Sequence, residues 1–307
     1  MQETTNHLFA FLALLVLVGP MMLLPANAKT TMPHSEYVYE EDFGIYTYKD
    51  YVENTTWDIW NQNLTVLPLD AVEQEYPAIQ LDSTGGVYIA WRDSRNGDPD
   101  IYIQRLHPSG NRVWQHDRRV NSDTGVADQS HPAIAADANG NILVAWHDDR
   151  QGDDDVYAQK LDPNGDRLWS KDVRVNSDTG TMNQFNPAIA SDGAGNVVVS
   201  WQDYRDGNAE IYAQKLDANG HRLWSADVRI NSEAGTAFQA APDASVHAGE
   251  GAVVIVWSDY RDGDCNIYAQ RIGADGSKRW STDKRVSAVG WTVDTQPSVP
   301  ALAVDRD

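Results

Sequence analysis

The chain has 307 residues, 41% of them hydrophobic and 22% charged, with a formal net charge of −21. That is enough apolar material for a packed core and excludes wholesale disorder. A uniformly acidic surface repels phosphate backbones and anionic headgroups, which argues against nucleic acid and membrane surfaces as partners and mildly favours divalent cations. The single cysteine, Cys265, excludes an internal disulfide and cysteine-based zinc sites.

In chain order, Leu8 to Leu24 is a nearly unbroken apolar run closed by Pro25-Ala26-Asn27-Ala28, an A-x-A pattern. Residues 1–28 are therefore predicted to be an export signal cleaved near Ala28, giving a secreted or cell-surface chain. The n-region carries no Lys or Arg, only His7, which departs from the usual pattern. No later stretch reaches the ~18 apolar residues of a membrane span, so none is expected in the mature chain. Glu36 to Tyr39, Ile45 to Lys49 and, after Trp60, Leu64 to Leu67 read as three short strands.

A repeat organises the rest of the chain. Trp91, Trp146, Trp201 and Trp257 are spaced 55, 55 and 56 residues apart, and Trp60, Trp114, Trp169, Trp224 and Trp280 keep the same period. Gln-x-x-Pro recurs from Gln74, Gln129, Gln184 and Gln239. The units run about 77–131, 132–186, 187–241 and 242–299. Each reads as four short strands, a to d. In the second unit these are Ala133 to Ala136, Asn141 to Trp146, Asp155 to Leu161 and Val173 to Asn176, separated by Asp/Asn/Gly/Pro turns. No helical spacing of apolar residues appears after residue 28.

Four short antiparallel strands per unit, repeated at this period, indicate an all-β protein, a β-propeller of four-stranded antiparallel blades. Pro300-Ala301-Leu302-Ala303-Val304-Asp305 matches the a-strand Pro132 to Asp137. With the three strands of residues 36–68 it would make a composite closing blade, the fifth, and leave no open sheet edge. Five units of 55 residues nearly equal the chain left after residue 28. An open β-solenoid, or a piece of a longer propeller, remains the rival reading.

The b–c loops share the pattern W-x-D-x-R-x-G-x-x-[DEN]-[IV]-Y. Its copies supply Trp91, Asp93 and Arg95; Trp146, Asp148 and Arg150; Trp201, Asp203 and Arg205; and Trp257, Asp259 and Arg261. The b–c and d–a loops of a propeller share one face, so Gln129, Gln184 and Gln239 are expected beside them. Flat rings with planar hydrogen-bonding groups suit a glycan, and repetition would give multivalent binding. The competing reading is cement: Asp and Arg pair within or between blades and Trp fills the space between sheets. Asp148, Asp149, Asp153, Asp154 and Asp155 crowd one loop and invite Ca²⁺, although Arg150 opposes a cation. No other cofactor or metal is expected.

The c–d turns, such as Asp162-Pro163-Asn164-Gly165 before Trp169, resemble the Asp-box turn of sialidase-type propellers, with one residue more in each interval. In that family the turn is structural and lies away from the catalytic site, so the likeness implies fold rather than activity. The longer pattern from Trp201 to Trp224 is similar to the repeats of exported bacterial propellers. A sialidase would need three converging arginines, a Tyr–Glu pair and an acid Asp, and no such set breaks the repeat. The function expected from these residues is that of a non-catalytic, monomeric binding or adhesion propeller recognising a glycan or extracellular protein. The alternatives are a structural module or fragment of a larger surface protein and a sialidase-like glycoside hydrolase.

Overall fold

The computed structural model describes residues 73–192, 195–232, 236–246, 251–287 and 300–302. They form four separate four-stranded antiparallel sheets. The first contains β1 (Gln74–Leu81), β2 (Val87–Asp93), β3 (Asp100–Leu106) and β4 (Arg118–Arg119). The second contains β5 (Gln129–Ala136), β6 (Ile142–Asp148), β7 (Asp155–Leu161) and β8 (Val173–Arg174). The third contains β9 (Gln184–Ser191), β10 (Val197–Asp203), β11 (Glu210–Leu216) and β12 (Val228–Arg229), and the fourth β13 (Gln239–Val246), β14 (Val253–Asp259), β15 (Asn266–Ile272) and β16 (Lys284–Arg285). In each sheet the strands stand in sequence order. The fold is the expected all-β propeller, and each sheet is a blade. Among the described residues there is no helix, and so none long and apolar enough to cross a membrane.

Consecutive blades pack through their inner strands, β1 on β5, β5 on β9 and β9 on β13. The cores lie between blades. Trp146 packs with Tyr88, Ile101, Ile103 and Trp114 of the preceding blade, and Trp201 with Leu143, Val156 and Trp169. Trp257 meets Ile211 and Trp224 in the same way. This pairing of a strand-b tryptophan with the preceding blade's c–d tryptophan is the physical origin of the two tryptophan periods. The c–d turns add a second tie: the Trp169 indole donates to the Ala218 carbonyl at 3.1 Å and that of Trp224 to Ala274 at 3.0 Å.

Two element boundaries differ from expectation. Inner strands begin at the glutamine, four residues earlier than predicted for the second unit, and bulge at the Pro. Proline has no N–H to donate, so the ladder shifts there. The residue before it adopts φ of 49–51° at Tyr76, His131, Asn186 and Ala241. Outer strands are only two residues long because a side chain takes over the ladder: the Val156 amide donates to Asn176 Oδ1 at 3.0 Å.

The expected closing-blade strands within residues 36–68 lie outside the described residues, as do the export signal and residues 303–305. Pro300 joins Pro132, Pro187 and Pro242 in lining a channel of about 260 Å³ between the inner strands. The Leu302 amide donates to Asp243 Oδ2 at 2.5 Å.

Candidate functional site

Antiparallel pairing brings the repeated residues to one end of each blade. Gln129 pairs with Asp148 and Asp148 with Asp155, and the other blades repeat this register. The result is a closed cluster in each blade. The indoles of Trp91, Trp146, Trp201 and Trp257 donate to Asp93, Asp148, Asp203 and Asp259 at 2.6–2.9 Å. Arg95, Arg150, Arg205 and Arg261 pair with those same carboxylates. Each arginine also reaches a second one, Asp117, Asp172, Asp227 or Asp283, at 2.9–3.0 Å. Each guanidinium lies over a tyrosine ring, from Tyr102 to Tyr268, at 4.1–4.2 Å.

These residues are together, but they are sealed. The four indoles are 0–1% exposed and the four aspartates 0%, so no ring face is left for a sugar. Gln129, Gln184 and Gln239 are buried as well, each with its Oε1 facing an Asn Nδ2 at 3.0, 2.9 and 3.5 Å. The cement reading describes this geometry. Burial alone would raise the carboxyls of Asp93 and Asp259, but the arginine and indole hydrogen bonds hold both below the usual range. With at least two carboxylates apiece, and three for Arg150 and Arg205, the four arginines are committed and do not supply a free clamp for a substrate carboxylate.

The crowded aspartates of the second blade divide. Asp148 belongs to its tryptophan and arginine, and Asp155 accepts from Asn176 at 2.8 Å and pairs with Arg174. Among the described residues, no group of three or more His, Cys, Asp or Glu side chains converges as a metal site.

A different set of residues forms an open cleft of about 290 Å³ at this same end, between the first and second blades. Glu75, Tyr76, Arg92, Asp128, Ser130, His147, Asp149 and Asp154 line it. Arg92 donates to Glu75 at 2.7 Å and to both oxygens of Asp128 at 3.2–3.3 Å. The Asp128 amide donates to Asp149 Oδ1 at 2.8 Å. Asp154 is half-buried. Burial, reinforced by Asp149, Asp128, Asp148 and Asp155, pushes its carboxyl up to about 6. Burial, aided by His131 and Arg92, lowers His147 to about 3, so its ring is neutral. His147 is only 8% exposed, and its Nδ1 has no hydrogen-bond partner.

The signal that would have found this cleft is difference rather than repetition. Asp154 stands where the other blades have Pro99, Ala209 and Cys265. Asp149 corresponds to Ser94, Tyr204 and Tyr260, and His147 to Arg92, Gln202 and Ser258. A position that every blade must fill alike serves the fold; one that changes from blade to blade is free to serve a ligand.

No protein-family model and no curated protein matches the chain. Solved structures do resemble it. A GH93 α-L-arabinofuranosidase of Fusarium graminearum with arabinobiose superposes at a TM-score of 0.54 and 12% identity, over 71% of this chain and 68% of that one. A Fusarium graminearum α-L-arabinofuranosidase structure with an iminosugar inhibitor gives 0.54, 13%, 73% and 70%. A Bacillus subtilis arabinanase gives 0.43, 15%, 74% and 83%. At these identities the likeness is one of fold. The two expectations of a non-catalytic adhesion propeller and of a chain that is not an enzyme are corrected here. The fold neighbours at 0.54 are glycosidases, and the indoles, aspartates and glutamines on which those expectations relied are buried and internally bonded.

Proposed function

We propose that the chain is a glycoside hydrolase whose chemistry takes place in the cleft between the first and second blades. The observation that carries this reading is the Asp154 carboxyl, raised to about 6 within a cleft that also holds Asp149, Asp128 and Glu75. Glycosidic cleavage needs a carboxylic acid that stays protonated near working pH and a second carboxylate that meets the positive charge growing on the sugar ring. Asp154 is assigned as the proton donor to the leaving oxygen. Asp149, exposed on the opposite limb of the same loop, is assigned as the partner carboxylate. Arg92 holds Glu75 and Asp128 in place at the cleft edge. The neutral His147 ring forms part of the cleft wall.

The fold neighbours suggest α-L-arabinofuranosides as the first substrate class to assay, an analogy at the level of fold. The export signal predicted from residues 1–28 favours an extracellular glycan. The test is release of 4-nitrophenol from aryl glycosides, beginning with the α-L-arabinofuranoside. Asp154→Asn should lower kcat by roughly 10²–10⁴-fold with the fold intact. Failure of the wild-type chain to turn over any of a panel of aryl glycosides would overturn the proposal, and full activity in Asp154→Asn would remove Asp154 from it.

A further inference from the structure

We infer that Tyr76, Phe185 and Tyr204, joined into one row by the more enclosed His131 and His147, form a binding track for a polysaccharide chain leaving the cleft, so that the substrate is a polymer rather than a lone terminal sugar. The inference rests on the hydrolase reading for its chemistry. Tyr76 stacks on His131 with ring centroids 3.7 Å apart, and His131 on His147 at 4.8 Å. His147 meets Phe185 edge-on at 5.4 Å, and Phe185 meets Tyr204 at 6.0 Å. The row thus crosses from the first blade to the third. Tyr76 and His147 also line the acidic cleft, so row and cleft are continuous.

Packing does not require Tyr76, His131, His147 or Phe185, although the fourth blade keeps Tyr260 at the position of Tyr204. The fourth blade has Ala241 where the first two have Tyr76 and His131, Ala240 in place of Phe185, and Ser258 in place of His147. Its strands nevertheless pair in the same register, with the same bulge. Tyr76 is 46% exposed, and Phe185 and Tyr204 are half-buried. Polar groups flank the rings: Gln202 Nε2 donates to the Tyr204 hydroxyl at 2.7 Å. Apolar ring surface edged with hydrogen-bonding groups matches a sugar unit, whose C–H faces are apolar and whose rim carries hydroxyls.

The test measures affinity against chain length by isothermal titration, using the full chain with arabinobiose, longer arabino-oligosaccharides and a cello-oligosaccharide series. Wild-type affinity should rise with length in one series. Phe185→Leu, which keeps an apolar side chain without a ring, and Tyr204→Ala should each cut the ratio of long-chain to short-chain affinity by roughly two- to tenfold. Tyr204→Phe keeps the ring and should preserve most of the ratio; thermal melts establish that each variant is folded. Length-independent binding, no binding in either series, or a ratio untouched by folded Phe185→Leu and Tyr204→Ala overturns the track. Length-dependent binding that these variants abolish, with no turnover of any glycoside, supports the track while refuting the hydrolase reading.

Discussion

Asp259→Ala removes one carboxylate shared by the buried Trp257 indole, the buried Gln239 amide and the part-buried Arg261. Oδ2 accepts the Trp257 indole at 2.8 Å and an Arg261 Nη2 hydrogen bond at 2.5 Å, and Oδ1 accepts the Arg261 amide at 2.9 Å. The truncation leaves a buried indole N–H without a partner, a loss of about 1–3 kcal/mol. It also halves the anionic support of Arg261, which keeps Asp283 at 3.0 Å. Losing one member of a buried charge pair brings the expected total to roughly 3–5 kcal/mol. At about 2–4 °C per kcal/mol for a domain of this size, Tm should fall by roughly 6–20 °C. Asp259→Asn keeps an acceptor for the indole and should lose about half as much. Acid should produce a related loss in the wild-type chain. The folded-state value of Asp259 lies below the ordinary one, so its contribution is present above about pH 4 and is lost as pH falls through the depressed value. Scanning calorimetry at pH 7 and along an acid series measures both effects. A Tm within about 2 °C of wild type for Asp259→Ala would refute the cement assignment.

Asp154→Asn should raise Tm at pH 7. The wild-type carboxyl is lifted to about 6 from 3.8, so its contribution is fully present below about pH 4 and is lost as pH rises through 6; a less stable variant at pH 7 would contradict this. For the same reason, kcat on an aryl glycoside should fall as pH climbs past about 6, and a flat profile between pH 5 and 8 would remove Asp154 as the acid. Gly220→Ala would set a Cβ 2.8 Å from Val173 Cγ2 and 3.2 Å from Trp169 at φ +86°, whereas Gly207→Ala, at φ +87°, meets nothing within 4 Å. Denaturant titration should show Gly220→Ala worse than Gly207→Ala by roughly 1–3 kcal/mol, the blade-to-blade contact isolated from the backbone strain; equal losses would refute that contact.

The fold was legible because a propeller writes itself in periods. Trp146 and Trp201 must each fill the gap to the preceding blade, Asp148 and Asp203 must each satisfy an indole, and the same spacing therefore recurs. The outer strands were less legible: Val173–Arg174 stops short of Asn176 because the asparagine side chain, not its backbone, continues the ladder. The cleft was not legible by the same means. Asp128, Asp149 and Asp154 come from two connections of the second blade, and Glu75 and Arg92 from two strands of the first. No local motif joins them. The W-x-D-x-R segments drew attention through their frequency, while Asp154 read as one more acidic residue in a crowded loop.

Frequency and chemistry are opposed for a physical reason. A group that must be present in every blade is held by partners, as Arg205 is by Asp203 and Asp227, and a satisfied group has little left to offer a substrate. Asp154 is the reverse case. Three other blades place Pro99, Ala209 or Cys265 there, so blade geometry does not ask for a carboxyl. Its neighbours penalise the charged form, and that penalty keeps a proton on it near pH 6. The instability is local and is the property a proton donor uses. In a repeat protein of this kind, the residues least like their counterparts and least satisfied by their neighbours are where catalysis is to be sought. Here those residues meet between the first and second blades.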